Sequence, residues 1–231
     1  MDPSTQAPHT QPESSRDADA LLREARALLV AQITEQTGIT DERLLGAFLR
    51  VPRHRFVPPE NRAFAYRDGA LPIGYGQTIS QPSMIAIMLQ YLDVRPEDRV
   101  LEIGAGSGYA AALLGQLGRE VYAVEIVPEL AERAQNTIAD LGYRNVTVLH
   151  GNGRFGLPEH APFDKILVSA GAEDIPPELV RELAPGGRIA IPVGDDYSQR
   201  LVVGTKHADG TLDLQSTIQC IFVPLVSSAQ S

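Results

Sequence analysis

Val100-Leu101-Glu102-Ile103-Gly104-Ala105-Gly106-Ser107-Gly108 is the stretch that decides the fold of this chain. A short apolar run, broken only by Glu102, enters three glycines at alternate positions, and an alanine- and leucine-rich run from Tyr109 to Leu117 follows. A buried strand turning sharply into a helix has this form. Glycine permits the turn and lets a ligand approach the backbone with no side chain between. A dinucleotide fingerprint requires G-x-G-x-x-G, but Tyr109 stands where its third glycine belongs and Gly108 comes one residue early. A small molecule is expected at this turn, and a pyrophosphate is disfavoured.

Outward from the turn the rhythm is strand, turn, helix. Arg99 to Ile103 reads as a strand, and Glu120 to Ile126 as the next, followed by a helix from Pro128 to Leu141. Further strands are read at Val146 to His150, Lys165 to Ser169 and Arg188 to Pro192, with a helix at Pro177 to Leu183. Such alternation predicts an α/β, doubly wound, mostly parallel sheet with helices on both faces. Arg200 to His207, the turn Ala208-Asp209-Gly210, and Leu212 to Val223 predict an antiparallel strand pair at its carboxyl-terminal end.

Before the turn lie extra amino-terminal helices. Leu21, Leu22, Ala25, Leu28, Leu29 and Ile33 recur at helical spacing from Ala18 onward. A second helix, Glu42 to Arg50, opens at Thr40 or Asp41 and stops before Val51-Pro52, because proline disfavours helical geometry in the residue before it. After a loop-like region, Gln81-Pro82 opens a third through Met84, Ile85, Met88, Leu89 and Leu92. Residues 1–17, rich in Pro, Ser, Thr and Gln, are expected to be a disordered tail. Residues 18–231 then form one domain: helices and an active-site loop (18–92), a ligand-binding core (93–195) and antiparallel strands (196–226).

The net charge of -9 argues against the cationic surface that nucleic acid requires. A lone cysteine, Cys220, excludes an internal disulfide and reads as a buried thiol in an apolar stretch. No apolar run is long enough to span a bilayer, and the amino terminus shows no export pattern. A monomer in the cytoplasm is expected, with neither membrane nor nucleic acid as partner.

Two more strand ends sharpen the ligand. Glu125 closes the strand after the glycine turn, where its carboxylate can accept hydrogen bonds from both hydroxyls of a ribose. Gly151-Asn152-Gly153 follows the third strand; its glycines leave the backbone open and its amide can meet an adenine edge. Each alone is also an ordinary strand-end charge or turn. Together they define one nucleoside crevice at the carboxyl edge of the sheet.

At this point the chain resembles the class I methyltransferases, whose turn has this G-x-G-x-G form. The segment Ala70-Leu71-Pro72-Ile73-Gly74-Tyr75-Gly76-Gln77-Thr78-Ile79-Ser80-Gln81-Pro82 resembles the one that marks the protein-L-isoaspartate O-methyltransferase family. So do Val51-Pro52-Arg53, Phe56-Val57-Pro58, Ala161-Pro162-Phe163-Asp164, Ile191-Pro192-Val193-Gly194 and Phe222-Val223-Pro224-Leu225. The likeness spans about residues 20 to 226. It implies S-adenosyl-L-methionine as cofactor, S-adenosyl-L-homocysteine as product, and isoaspartyl residues of damaged proteins and peptides as substrates. The methyl ester so formed closes to a succinimide, which hydrolyses partly to normal aspartate. The resemblance implies cofactor contacts from Gln77, Ser80, Glu102, Gly104, Ala105, Gly106, Gly108, Glu125, Ile126, Asn152 and Gly153. It implies substrate contacts from Leu71, Ile73, Thr78, Ile79 and Ser80, with Ser80 and Thr78 orienting the carboxylate. One departure stands out: Asn152 occupies the place of the family's usual aspartate.

Ser80 has a plainer reading as an N-cap or pre-cap residue before Pro82, and Gly74 with Gly76 as simple turn residues. The basic cluster Arg50, Arg53 and Arg55 reads as a solvated loop. No metal site is expected, because the five histidines lack ligand spacing, and no G-x-S-x-G elbow is present. Two rivals share the cofactor site: a family member that methylates normal aspartate in one dedicated peptide, and a non-catalytic binding module. A dinucleotide oxidoreductase is a more distant rival, weakened by Tyr109.

Overall fold

The computed structural model describes residues 13–195 and 197–226. Helices α1 (Glu13–Thr37), α2 (Glu42–Arg50) and α3 (Pro82–Leu92) come first, with a hairpin of β1 (Leu71–Gly74) and β2 (Gln77–Ile79) before α3. Then follow β3 (Arg99–Ile103), α4 (Tyr109–Leu117), β4 (Glu120–Glu125), α5 (Pro128–Asp140), β5 (Val146–His150) and β6 (Phe163–Val168). The chain ends in α6 (Pro177–Glu182), β7 (Leu183–Gly194), β8 (Gln199–Lys206) and β9 (Leu212–Cys220). The seven-stranded sheet has the order β5-β4-β3-β6-β7-β8-β9.

The sheet is parallel from β5 to β7, with Val100 paired to Val121 on one side and to Lys165 on the other. It turns antiparallel at β8 and β9. The chain winds outward from β3 to β4 and β5, then crosses back to β6. The strand order therefore reverses beside β3, and the crevice at the carboxyl ends of β3, β4 and β6 is the position where open α/β sheets bind ligands.

Period two along the strands builds a core on each face. Val100, Leu167 and Ala190 join the cluster formed with α1 to α5, whereas Leu101, Ile103, Ile166, Val168, Ile189 and Ile191 join the one with Leu179 of α6. Glu102 lies between Leu101 and Ile103 on β3, so it takes the face of Val100.

Several expectations change in detail. Helix α1 begins at Glu13, inside the stretch read as tail; residues 1–12 lie outside the described residues. Its buried face is Leu29, Val30 and Ile33, while Leu21 and Leu28 are about two-thirds exposed, at 66% and 65%. The loop-like region is ordered by 3-10 turns at Arg53–Phe56 and Pro59–Phe64 and by the β1–β2 hairpin. Strand β7 starts five residues before the expected Arg188, and β9 ends at Cys220.

Helix α2 opens as expected at Asp41, whose Oδ1 accepts hydrogen bonds from the amides of Arg43 and Leu44. The helix buries Leu44, Ala47 and Phe48, so its start sets how the amino-terminal layer meets the sheet. Replacing Asp41 with alanine is expected to cost about 1 kcal/mol of stability. Urea unfolding would read this as a lower midpoint at unchanged slope, and an unmoved midpoint would mean the cap contributes nothing.

Candidate active site

Three chambers open along the carboxyl edge of the sheet. The first, of ≈ 560 Å³, lies between the glycine turn, Glu125, Asn152 and the chain's last described residues, Val223 to Val226. The second, of ≈ 320 Å³, is lined by Ser80, Glu102, Ala105 and Tyr109. The third, of ≈ 610 Å³, lies under Met84 and the Gln219–Val223 segment. Thr78 and Ser169 line all three, and Ser80 lines the second and third. The chambers therefore meet at the Thr78 to Ser80 segment.

The glycine turn is held open by its own backbone. Gly104, Gly106 and Gly108 all take positive φ, at 82°, 54° and 84°. The amides of Gly104 and Ala105 donate to the Val124 carbonyl at 2.9 and 3.1 Å, and the Gly106 amide donates to Glu125 Oε2 at 2.7 Å. The other oxygen, Oε1, accepts from the Val127 amide at 2.9 Å. Glu125 is thus fixed by two backbone donors while its carboxylate lines the first chamber. Gly108 lines none of the three chambers. A β-carbon there would press on Ala134 of α5 at 3.2 Å, so its glycine serves helix packing as well as the positive φ.

Glu102 is 1% exposed. Ser169 Oγ donates to its Oε1 at 3.3 Å, and its Oε2 has no hydrogen-bond partner among the described residues. Burial holds this carboxyl well above the usual carboxylate range; the Ser169 bond opposes the shift and the nearby Glu125 adds to it. A buried acceptor left unpaired costs about 1–3 kcal/mol. Glu102 lines the second chamber, where a cationic ligand group would supply the missing donor.

Asn152 lines the first chamber, and its side chain accepts from the Arg154 amide at 3.0 Å, capping a short 3-10 turn. An aspartate would accept the same bond, so the departure at this position keeps the local turn. Gly153 is required by close approach: a β-carbon would sit 2.5 Å from Ile103 Cγ2. Gln77 and Ile126 line the first chamber, and Ile79 the second. Of the expected substrate contacts, Leu71 and Ile73 line none of the three. Ile73 is fully buried, and a β-carbon on Gly106 would meet its Cδ1 at 3.3 Å, so it acts as packing behind the turn.

Of the two plainer places for Ser80, N-cap or pre-cap, the structure gives the second. The N-cap of α3 is Gln81, which makes no capping side-chain bond. The amide of Ser83 is instead taken by Asp68 Oδ1 at 2.8 Å, from outside the helix. The Ser80 hydroxyl makes no hydrogen bond among the described residues and is left to the second and third chambers.

Arg53 corrects another expectation. It is fully buried, not solvated, with Nε donating to the Ala65 carbonyl and Nη2 to those of Gly69 and Ser80. Its guanidinium lies 4.8 Å from the centre of the Tyr109 ring. Cys220 is half-buried and lines the third chamber, where burial pushes its thiol up to about 11, too high for a nucleophile at neutral pH.

The residues that close the site were missed as site residues. Ser169 follows β6 directly. The Val223-to-Val226 segment is laid over the crevice by Gln199, whose side chain donates to the Phe222 carbonyl and accepts from its amide. A further tie joins Gly171 to Val223 and Leu225 through backbone bonds of 2.8 and 2.6 Å. The only sequence signal was the Phe222-Val223-Pro224-Leu225 piece, which carried resemblance without a role.

A family model described as protein-L-isoaspartate(D-aspartate) O-methyltransferase matches residues 24–230. The chain belongs to that family. It is 48% identical to a protein-L-isoaspartate O-methyltransferase of Aeropyrum pernix, over 98% of this chain and 90% of that protein. It is 50% identical to one of Roseiflexus sp., over 88% and 92%. A solved protein-L-isoaspartate O-methyltransferase superposes with a TM-score of 0.80 at 28% identity, covering 88% of this chain and 67% of the other. A Plasmodium falciparum chain assigned to the same enzyme class, in complex with S-adenosyl-L-homocysteine, gives 0.78 at 26% identity, covering 88% and 99%. The family depends on S-adenosyl-L-methionine.

The buried Glu102 gives a test of the ligand-free site. In the unfolded chain its carboxyl ionises near pH 4.3. Folding raises that value, so the native state retains a proton that the unfolded state has lost. Stability is then lost as pH rises above the unfolded value toward the folded one. Glu102→Gln is expected to gain on the parent over this window and to show no gain below it. Denaturant titrations of both proteins from pH 3.5 to 8 would read this, and a pH-independent difference would contradict the assignment.

Proposed function

We propose that this chain transfers the methyl group of S-adenosyl-L-methionine to the carboxylate of L-isoaspartyl residues in damaged proteins and peptides, with Ser80 and Thr78 orienting that carboxylate. The observation that carries the assignment of roles is the meeting of three chambers at Thr78 to Ser80, with the Ser80 hydroxyl making no hydrogen bond among the described residues.

The residues present fit the cofactor. Glu125 would receive the ribose hydroxyls, with Asn152 and Ile126 beside the adenine. The Glu102 carboxylate, with its unpaired Oε2, suits the ammonium of the methionine end. Bound there, S-adenosyl-L-methionine supplies a methyl group made electrophilic by its sulfonium.

The acceptor is a carboxylate with an ordinary pKa of about 4, ionised at neutral pH, so no general base is required. What remains is position. Holding the reacting atoms in line can supply roughly 7–11 kcal/mol. A hydroxyl suits this task, because it donates to one carboxylate oxygen without the tight ion pair an arginine would impose. The third chamber sets Met84, Phe222 and Val223 beside the hydroxyl-bearing Thr78, Ser80 and Ser169, a mixed lining open to a peptide. The same reading makes the enzyme a cytoplasmic monomer that acts on proteins, in keeping with its net charge of -9 and single cysteine.

Ser80→Ala is expected to lower kcat on an isoaspartyl peptide by about ten- to a hundredfold, while the Kd for S-adenosyl-L-methionine stays within about twofold. Calorimetry and initial rates on the same preparation would separate the two. An unchanged kcat would remove Ser80 from the orienting role.

A further inference from the structure

The Ser80–Gln81–Pro82 junction is fastened from behind by two residues with no assigned part in the reaction. Asp68 reaches it with both carboxylate oxygens: Oδ1 accepts from the Ser83 amide at 2.8 Å, and Oδ2 from the Gln81 side chain at 2.9 Å. Arg53 reaches it from the buried side, donating to the Ser80 carbonyl at 2.9 Å while holding Ala65 and Gly69 at 3.0 and 3.3 Å. The two brackets meet in sequence, because Gly69 follows Asp68. Arg53 also stacks on Tyr109, the first residue after the glycine turn, which lines the second chamber together with Ser80.

We propose that Asp68 and Arg53 are positioning residues that hold the Ser80 hydroxyl at the junction of the second and third chambers, Asp68 by fixing the start of α3 immediately after Ser80 and Arg53 by anchoring the Ser80 carbonyl. This rests on the reading of Ser80 as the hydroxyl that orients the acceptor carboxylate. The Asp68 carboxylate ties the residues on either side of Pro82, Gln81 by its side chain and Ser83 by its amide, so the start of α3 is fixed directly after Ser80. The carbonyl anchor fixes the peptide plane from which the side chain projects, and a displacement of about 1 Å at such a point is enough to cost about a hundredfold in rate. Neither side chain touches substrate or cofactor in this scheme: Asp68 and Arg53 line none of the three chambers.

Asp68 is half-buried, so it offers the cleaner variant; Arg53 is fully buried and its loss threatens the fold. The experiment compares the full chain with Asp68→Ala, Asp68→Asn, Ser80→Ala and the Asp68→Ala/Ser80→Ala double variant. The readouts are kcat and KM on an isoaspartyl peptide, the Kd for S-adenosyl-L-methionine, and the thermal midpoint. Asp68→Ala is expected to lower kcat at least about tenfold, with the cofactor Kd held within about twofold. Asp68→Asn keeps one acceptor and is expected to recover part of that loss. The double variant is expected to be no slower than Ser80→Ala alone, because the brace acts only through the hydroxyl. A lower thermal midpoint with unchanged kcat would leave Asp68 a purely structural cap and overturn the proposal. So would losses that multiply in the double variant. If Ser80→Ala itself leaves kcat unchanged, the role of Ser80 falls and the brace falls with it; a loss for Ser80→Ala without one for Asp68→Ala defeats the brace alone. Arg53→Lys, whose single ammonium cannot hold the Ala65, Gly69 and Ser80 carbonyls together as the guanidinium fork does, is expected to show the same selective fall in kcat wherever its thermal midpoint confirms folding. An unchanged kcat in folded Arg53→Lys would remove Arg53 from the brace.

Discussion

The site depends on the bond between the Gly106 amide and the Glu125 carboxylate. It ties the turn after β3 to the end of β4 at 2.7 Å, and the second oxygen of the same carboxylate ties the start of α5 through Val127. Backbone and side chain can meet this closely only because the turn runs through residues with positive φ and no β-carbon toward the chamber. The strand order makes the bond possible, since the winding reverses beside β3 and leaves the carboxyl ends of β3, β4 and β6 facing one crevice. Ser169, at the end of β6, completes the rim and joins it to the buried Glu102.

The amino-terminal layer supplies what the sheet cannot. Tyr109 stands where a dinucleotide-binding turn would have glycine, and its ring is packed edge-on by Phe56 and Phe48 and faced by the Arg53 guanidinium. The space that a third glycine would open is filled by contacts to α2 and the 3-10 turn after it. The deviation that weakened a pyrophosphate reading is therefore the point at which the amino-terminal layer is joined to the glycine turn. The carboxyl-terminal segment closes the opposite side through Gln199 and Gly171. A single crevice thus draws on the Thr78 to Ser80 segment ahead of the sheet and on the last described residues.

What was legible in the sequence is what local chemistry encodes. Strand β3, the glycine turn and helix α4 follow from apolar runs and glycine spacing, α2 from the Asp41 cap and Val51-Pro52, and the β8–β9 hairpin from Ala208-Asp209-Gly210. The fold of residues 51–80 was not legible, although their motifs carried the family resemblance, because their order comes from side chains that reach far along the chain. Arg53 bonds residues 65, 69 and 80, and Asp68 bonds residues 81 and 83. No periodicity records such bonds, and a clustered arginine looks solvated until its carbonyl partners are known. The exposure of Leu21 and Leu28 has a similar cause: helical spacing defines an apolar stripe, but tertiary packing chooses Leu29, Val30 and Ile33. At the site, Glu125, Asn152 and the turn were legible as strand ends, whereas Ser169 and the last described residues were not, since they arrive from strands with no motif of their own.

The central claim is that this crevice methylates isoaspartyl carboxylates. Its most direct test is transfer of labelled methyl from S-adenosyl-L-methionine to two peptides that differ only in isoaspartate or aspartate at one position. Base-labile label on the isoaspartyl peptide alone is the predicted result. Label on the aspartyl peptide alone, or on neither while the cofactor binds, would contradict it.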